Sequence, residues 1–189
     1  FHRSSALRSQ GRKKLGLGKN DFVLMGAGQV QTRKGVQDFI KVGKELPEFT
    51  FVWMGGEPFK ALTEQNKELT DLLRDLPKNV LFPGSFSYED MPAIYNAADV
   101  FFFPSYQENA PMAIIEASSC GLPLLLRNIE EYKLLYREGY LSSLDLEGYK
   151  EAIKKLHEDK IFYKKWQDEG FKIAHQFSFE MLGDKLINH

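Results

Sequence analysis

Short runs apolar at every position, each cut off by glycine or proline and followed by a helical pattern, constrain this chain more than any other feature. Phe22-Val23-Leu24-Met25 is closed by Gly26-Ala27-Gly28, Phe51-Val52-Trp53-Met54 by Gly55-Gly56, and Val80-Leu81-Phe82 by Pro83-Gly84. Val100-Phe101-Phe102-Phe103 stops at Pro104, Leu124-Leu125-Leu126 is a fifth run, and Gly139-Tyr140-Leu141 is a weaker sixth. A strand without polar alternation must be covered on both faces, which is the condition of a parallel sheet. Helical spacing fills the intervals. Val36, Phe39, Ile40, Gly43 and Leu46 lead to Pro47, and Leu62, Leu69, Leu72, Leu73 and Leu76 form the apolar side of a charged helix. Ser87 is placed to cap the next helix, with Asp90 at its third position. Leu146, Tyr149, Ile153 and Leu156 share one face in a helical tail from Leu144 to His189. With right-handed crossovers, the pattern predicts an α/β fold: a Rossmann-like, doubly wound parallel sheet of about six strands with C-terminal helices. No linker or repeat divides residues 1–189, which read as one domain.

Composition narrows the function classes. A hydrophobic content of 43% over 189 residues supports a packed core, and a net charge of -1 offers no field for nucleic acid. No apolar run approaches the roughly 18 residues that span a bilayer, and no signal peptide is visible. The single cysteine, Cys120, excludes an internal disulfide, fits a reducing compartment, and reads as small core packing beside Gly121. A chain starting at Phe1 is expected to be a piece of something longer.

Ligands of open parallel sheets bind at the carboxyl ends of the strands, where phosphates meet helix N-termini. Gly26-Ala27-Gly28 lacks the third glycine of a dinucleotide fingerprint, because Gln31 stands there, so Gly28 is either a tight turn or a ligand contact. Arg33 and Lys34 precede a helix start and suit a phosphate, with solvated loop cations as the alternative. Gly55-Gly56-Glu57-Pro58 reads as a turn. Pro83-Gly84-Ser85 is either a turn or a contact beside the crevice. The fullest signal is Glu108-Asn109-Ala110-Pro111-Met112-Ala113-Ile114-Ile115-Glu116. Pro111 suits the first helical position, leaving the Met112 and Ala113 amides as donors for a diphosphate. Glu108 would point past the phosphates to sugar hydroxyls. Glu116, flanked by apolar residues where an idle charge is costly, would accept from the vicinal hydroxyls of a ribose.

These features, in order along most of the chain, resemble the C-terminal, donor-binding domain of GT-B retaining glycosyltransferases of family 4 (group 1). They are Gly28 through Lys34-Gly35, Gly55-Gly56-Glu57-Pro58, Val80-x-Phe82-x-Gly84, Ala98-Asp99-Val100 with Pro104-Ser105, and Glu108 seven residues before Glu116. The resemblance implies that Glu108 contacts the donor sugar, Glu116 the ribose and Lys34 the diphosphate, with Glu108 and Lys34 as the catalytic pair. It also implies that Gly28, Arg33, Gly84, Asn109, Pro111, Met112 and Ala113 line the donor site. The family's arginine after the first-turn glycine is Gln29 here, and Pro111 replaces a glycine. Pro104 to Met112 and Arg127-Asn128-Ile129-Glu130-Glu131-Tyr132 resemble bacterial diacylglycerol glucosyltransferases. The implied donor is UDP-glucose, used without metal or other cofactor, and the implied acceptor is a membrane lipid. The implied location is the cytoplasm, at the inner face of the membrane. The acceptor-binding N-terminal GT-B domain would be the partner missing from this chain, so the chain alone is expected to transfer no sugar. Arg3, Arg8, Arg12, Lys13 and Lys14 are read as a solvated surface, with approach to an anionic membrane as the alternative.

His2, His157, His175 and His189 lie near the start or in the helical tail, away from every strand C-terminus, and none is placed as a general base. A nucleotide-sugar epimerase of the same fold would need such a set. A non-catalytic nucleotide-sugar-binding module is the other alternative, encouraged only by Gln29.

Overall fold

The computed structural model describes residues 1–56, 67–109 and 111–177. Glu57, Pro58, Leu62, Ala110 and His189, all used in the sequence reading, lie outside them. Six parallel strands form one sheet: β1 (Val23–Ala27), β2 (Thr50–Met54), β3 (Val80–Gly84), β4 (Val100–Phe103), β5 (Leu124–Arg127) and β6 (Leu141–Ser143). Their spatial order is β3-β2-β1-β4-β5-β6. The order reverses between β1 and β4, which pair through Leu24 with Val100 and Met25 with Phe101. The helices are α1 (Ser5–Leu15), α2 (Val36–Glu45), α3 (Lys67–Arg74), α4 (Met91–Ala97), α5 (Met112–Ser119), α6 (Glu130–Tyr136), α7 (Leu146–Glu158) and α8 (Lys160–Gln176). β1, β4 and β5 are buried along their whole length, as apolar runs covered on both faces must be. Phe39 of α2 stacks on Phe102 of β4 with centroids 5.4 Å apart, so one helix face and the sheet share a single core.

Three local expectations shift. The helix expected from Ser87 begins at Met91 instead, with Asp90 as the N-cap and Pro92 in the first turn. Residues 88–90 form a turn in which the Asp90 amide donates to the Ser87 carbonyl at 3.1 Å. Proline fixes φ and needs no amide partner at a helix start, so it overrides the weaker capping signal. β3 runs on through Pro83 to Gly84, tolerated because β3 is an edge strand, and the register shifts there. The sixth strand spans Leu141–Ser143, after Gly139 has turned the chain at φ 98°.

Arg3, Lys13 and Lys14 are exposed as expected of a solvated surface, but Arg8 and Arg12 are not. Arg8 and Arg12 grip Asp99 at 2.6 and 2.9 Å, and Asp99 also accepts from the Val23 amide at 2.9 Å. Arg12, only 6% exposed, donates further to the carbonyls of Ala97 and Asp21. Arg3 donates to the Gly121 carbonyl and Lys14 pairs with Asp90. Burial is the main influence lowering the Arg12 pKa, with Asp99 opposing it. These cations fasten α1 to α4 and to the start of β1. Asp99→Ala is therefore expected to cost on the order of 3 kcal/mol, by leaving a buried guanidinium unpaired. A thermal unfolding midpoint within a degree or two of the parent protein would refute this.

Candidate functional site

The C-terminal ends of β1, β2 and β3 meet through glycine. The Gly28 amide donates to the Met54 carbonyl at 2.8 Å, and the Gly55 amide to the Gly84 carbonyl at 2.9 Å. Gly28, Gly55 and Gly84 have φ of 130°, 91° and 86°, values that side-chain-bearing residues rarely adopt. The indole of Trp53 donates to the Gly28 carbonyl at 3.0 Å and fixes the first turn from below. A floor of bare backbone results beside the point where the strand order reverses.

Above it stand the two groups singled out from sequence. Thr32–Lys34 form one 3-10 turn that runs through Gly35 into α2. Gly35 is required there, since its φ is 74° and a Cβ would lie 2.0 Å from the Pro104 carbonyl oxygen. The turn therefore sits directly against the loop following β4. Lys34 Nζ donates to Glu108 Oε1 at 2.6 Å, and Ser105 Oγ lies 2.7 Å from the same oxygen. Glu108 is 6% exposed and Ser105 fully buried, and the Lys34 ammonium lies 5.5 Å from the centre of the Phe103 ring. The pair is shielded from water without being closed off, because the Lys34 side chain keeps 15% of its surface.

Pro111 is the N-cap of α5 rather than its first helical residue, with Met112 following as the first. Its ψ of 101° is extended, which a proline accommodates as readily as a helical value. No Pro111 side chain caps this helix, and the Ile114 amide donates to the Pro111 carbonyl at 3.1 Å. The Met112 and Ala113 amides, in the first turn, have no carbonyl four residues back within the helix to receive them. Glu116, half-buried, accepts from the Tyr95 hydroxyl at 2.9 Å. Burial first, and then Glu116, push the Tyr95 phenol well above its ordinary pKa, so it stays a donor. Each carboxylate oxygen offers two lone pairs, so this bond orients Glu116 and leaves acceptor capacity.

The structure thus brings Lys34 and Glu108 into contact, with Gly28 beside Lys34; Gly84 ends β3, Pro111, Met112 and Ala113 begin the helix that follows β4, and Glu116 lies further along that helix. Arg33 is exposed and its Nε donates to Gln31 Oε1 at 3.1 Å. Asn109 and Gln29 are exposed. Tyr95 is a participant the sequence did not reveal, since it lies inside an ordinary helical pattern 21 residues from its partner. His157 packs edge-on against Phe22 and Phe49, which precede β1 and β2, at the far end of the sheet from the crevice. Cys120 is buried, and burial raises its thiol to about 11. Among the described residues no group of His, Cys, Asp and Glu could hold a metal ion, and no helix is long and apolar enough to cross a membrane.

The profile of the family described as Glycosyl transferases group 1 matches residues 8–173. The chain belongs to this family. It is 40% identical over 171 residues to the alpha-galactosylglucosyldiacylglycerol synthase of Streptococcus pneumoniae, covering 90% of this chain and 46% of that protein. It is 32% identical over 178 residues to the processive diacylglycerol alpha-glucosyltransferase of Acholeplasma laidlawii, covering 93% and 52%. The chain therefore spans about half the length of these two relatives. The fold is shared with Anabaena HepE, solved in complex with UDP and glucose, at TM-score 0.81 and 21% identity over all of this chain and 52% of that one. It is also shared with the C-terminal domain of a group 1 glycosyl transferase from Francisella tularensis, at TM-score 0.71 and 19% identity over 94% and 95%.

Proposed function

We propose that residues 1–189 are the donor-binding half of a retaining glycosyltransferase that moves glucose from UDP-glucose to a diacylglycerol-type membrane lipid. The observation that carries the reading is the meeting of Lys34 and Glu108 at 2.6 Å beside an uncapped helix start, at the reversal of strand order. The lipid acceptor and the hexose are supported by the names of the two relatives, both diacylglycerol glycolipid enzymes. UDP-glucose is further supported by a neighbour of the same fold solved with UDP-glucose. In this reading the diphosphate takes the Lys34 ammonium together with the Met112 and Ala113 amides, and Glu108, released from Lys34, accepts from sugar hydroxyls. The Tyr95-braced carboxylate of Glu116 accepts from the ribose diol. As the bond from sugar to diphosphate breaks, negative charge grows on the phosphate, where a fixed cation and helix amides stabilise it most. The acceptor enters from an N-terminal GT-B domain, and the enzyme works at the inner face of the cell membrane.

Calorimetric titration of the intact protein with UDP-glucose tests the site. Glu116→Ala is expected to weaken binding roughly 10–100-fold, the loss of one or two charge-assisted hydrogen bonds, and Tyr95→Phe about fivefold. Absent binding, or an affinity unchanged in Glu116→Ala, would contradict the assignment.

A further inference from the structure

Buried Asp38 and Arg127 and half-exposed Tyr106 form a polar cluster beside the Lys34–Glu108 pair. Arg127, at the end of β5, is 6% exposed and Asp38, in the first turn of α2, 9%. Arg127 pairs with Asp38, donates from Nε to the Pro104 carbonyl at 3.0 Å, and donates from Nη1 to the Leu144 carbonyl at 3.1 Å. Its guanidinium lies over the Tyr106 ring, 3.8 Å from the centroid, and the Tyr106 hydroxyl donates to Asp38 Oδ2 at 2.9 Å. Burial first, and then Asp38, raise the pKa of this phenol, keeping its proton on the oxygen.

A buried ion pair is weak as a source of stability, because desolvation offsets its attraction. A planar guanidinium is strong in direction: its donors form a rigid fork, so each bond sets the orientation of the group receiving it. Here the fork reaches the loops after β4 and β6 and the start of α2. The levers to the site are short. Tyr106 donates its amide to the Arg33 carbonyl at 2.8 Å, one residue before Lys34, and Glu108 lies two residues after Tyr106. Ser105, between Pro104 and Tyr106, bridges the same two segments, with its Oγ 3.1 Å from the Arg33 carbonyl and 2.7 Å from Glu108 Oε1.

We propose that Asp38, Tyr106 and Arg127 are positioning residues that seat the Glu108 loop on the Lys34 turn, so that carboxylate and ammonium meet the sugar and the diphosphate of one donor together. The proposal rests on the donor-binding reading above. Lys34 is also held through Gly35 and through α2, which packs Phe39 on Phe102 of β4 apart from the clamp, so loosening the clamp displaces Glu108 and its hold on the sugar more than the hold on the diphosphate.

The test compares Tyr106→Ala and Arg127→Lys in the intact protein. Tyr106 is 49% exposed, so its truncation leaves the core in place. Arg127→Lys keeps the charge and loses the fork and the ring contact. In both, affinity for UDP-glucose is expected to fall about tenfold while affinity for UDP changes less than about threefold, because sub-ångström placement matters at the sugar alone. Hydrogen exchange on the ligand-free protein is expected to accelerate at residues 105–109 and to stay unchanged in β1 and β4. Unchanged exchange at 105–109 would overturn the proposal. Equal weakening of UDP and UDP-glucose with faster exchange throughout the sheet would also overturn it, marking the cluster as a stability element only. If the unsubstituted protein bound neither nucleotide, the donor reading and the sugar role would both fall. The exchange measurement would still decide whether the clamp holds the loop.

Discussion

Replacing Lys34 by Met is expected to lower sugar transfer by about 10²–10³-fold, the scale of losing one preorganised group aimed at developing charge. The same change has a structural side. Glu108 is buried and, among the described residues, would keep the Ser105 hydroxyl as its side-chain partner. Stranding a buried carboxylate costs roughly 3–5 kcal/mol, and the residual exposure of the Lys34 side chain places this case toward the lower end. The two effects separate in a double variant. Lys34→Met with Glu108→Gln removes the stranded charge and should return most of the thermal stability, yet transfer should stay at least as low as in the single variant. Recovery of transfer along with stability would show that Lys34 serves the fold and does not touch the diphosphate. The measurements are unfolding midpoints and initial rates on the intact enzyme.

Gly35→Ala should be the most disruptive small substitution near the site. The position combines a φ of 74° with a Cβ that would lie 2.0 Å from the Pro104 carbonyl oxygen and 2.5 Å from its carbon. Backbone cannot swing aside as a flexible side chain can, and this carbonyl is also the acceptor of Arg127 Nε. An expected loss above about 3 kcal/mol follows from left-handed strain combined with the forced separation of two packed loops. That corresponds to an unfolding midpoint lower by at least roughly 6 °C in a domain of this size. Gly84→Ala is the control, since Gly84 has a φ of 86° but nothing within 4 Å of the point an added methyl would occupy. It should show strain alone, about 1–2 kcal/mol. If both variants unfold at the same temperature, the contact between the Lys34 turn and Pro104 does not matter to the fold.

The sheet was legible because its signal is local: a run such as Val100 to Phe103 declares its burial residue by residue, and the glycines after β1 and β2 mark the strand ends. Glu108, Lys34 and Glu116 stand out in the sequence as charges at strand ends and in apolar settings, and the structure joins the first two. Their partners were harder to see. Tyr95 is a helix residue with no polar pattern around it, and its tie to Glu116 exists only once α4 lies beside α5. Asp38 and Arg127 meet across 89 residues, a contact that no local periodicity encodes. The N-terminal arginines misled for the same reason. Read in isolation they are surface charges, but Asp99, which accepts them, arrives from the turn before β4. Proline decided the small errors at α4 and α5, because a fixed φ is compatible with more than one position at a helix start.

The glycine floor along β1, β2 and β3 limits how such a site can change. Its chemistry consists of peptide groups, identical whatever ligand lies above, and most replacements would bend the surface before altering what it recognises. On the donor-binding reading proposed above, new preferences would be written elsewhere, in residues 29–34, 104–109 and 111–112, where side chains replace one another without remodelling the sheet. On that reading the floor is a general socket, and selectivity belongs to its rim.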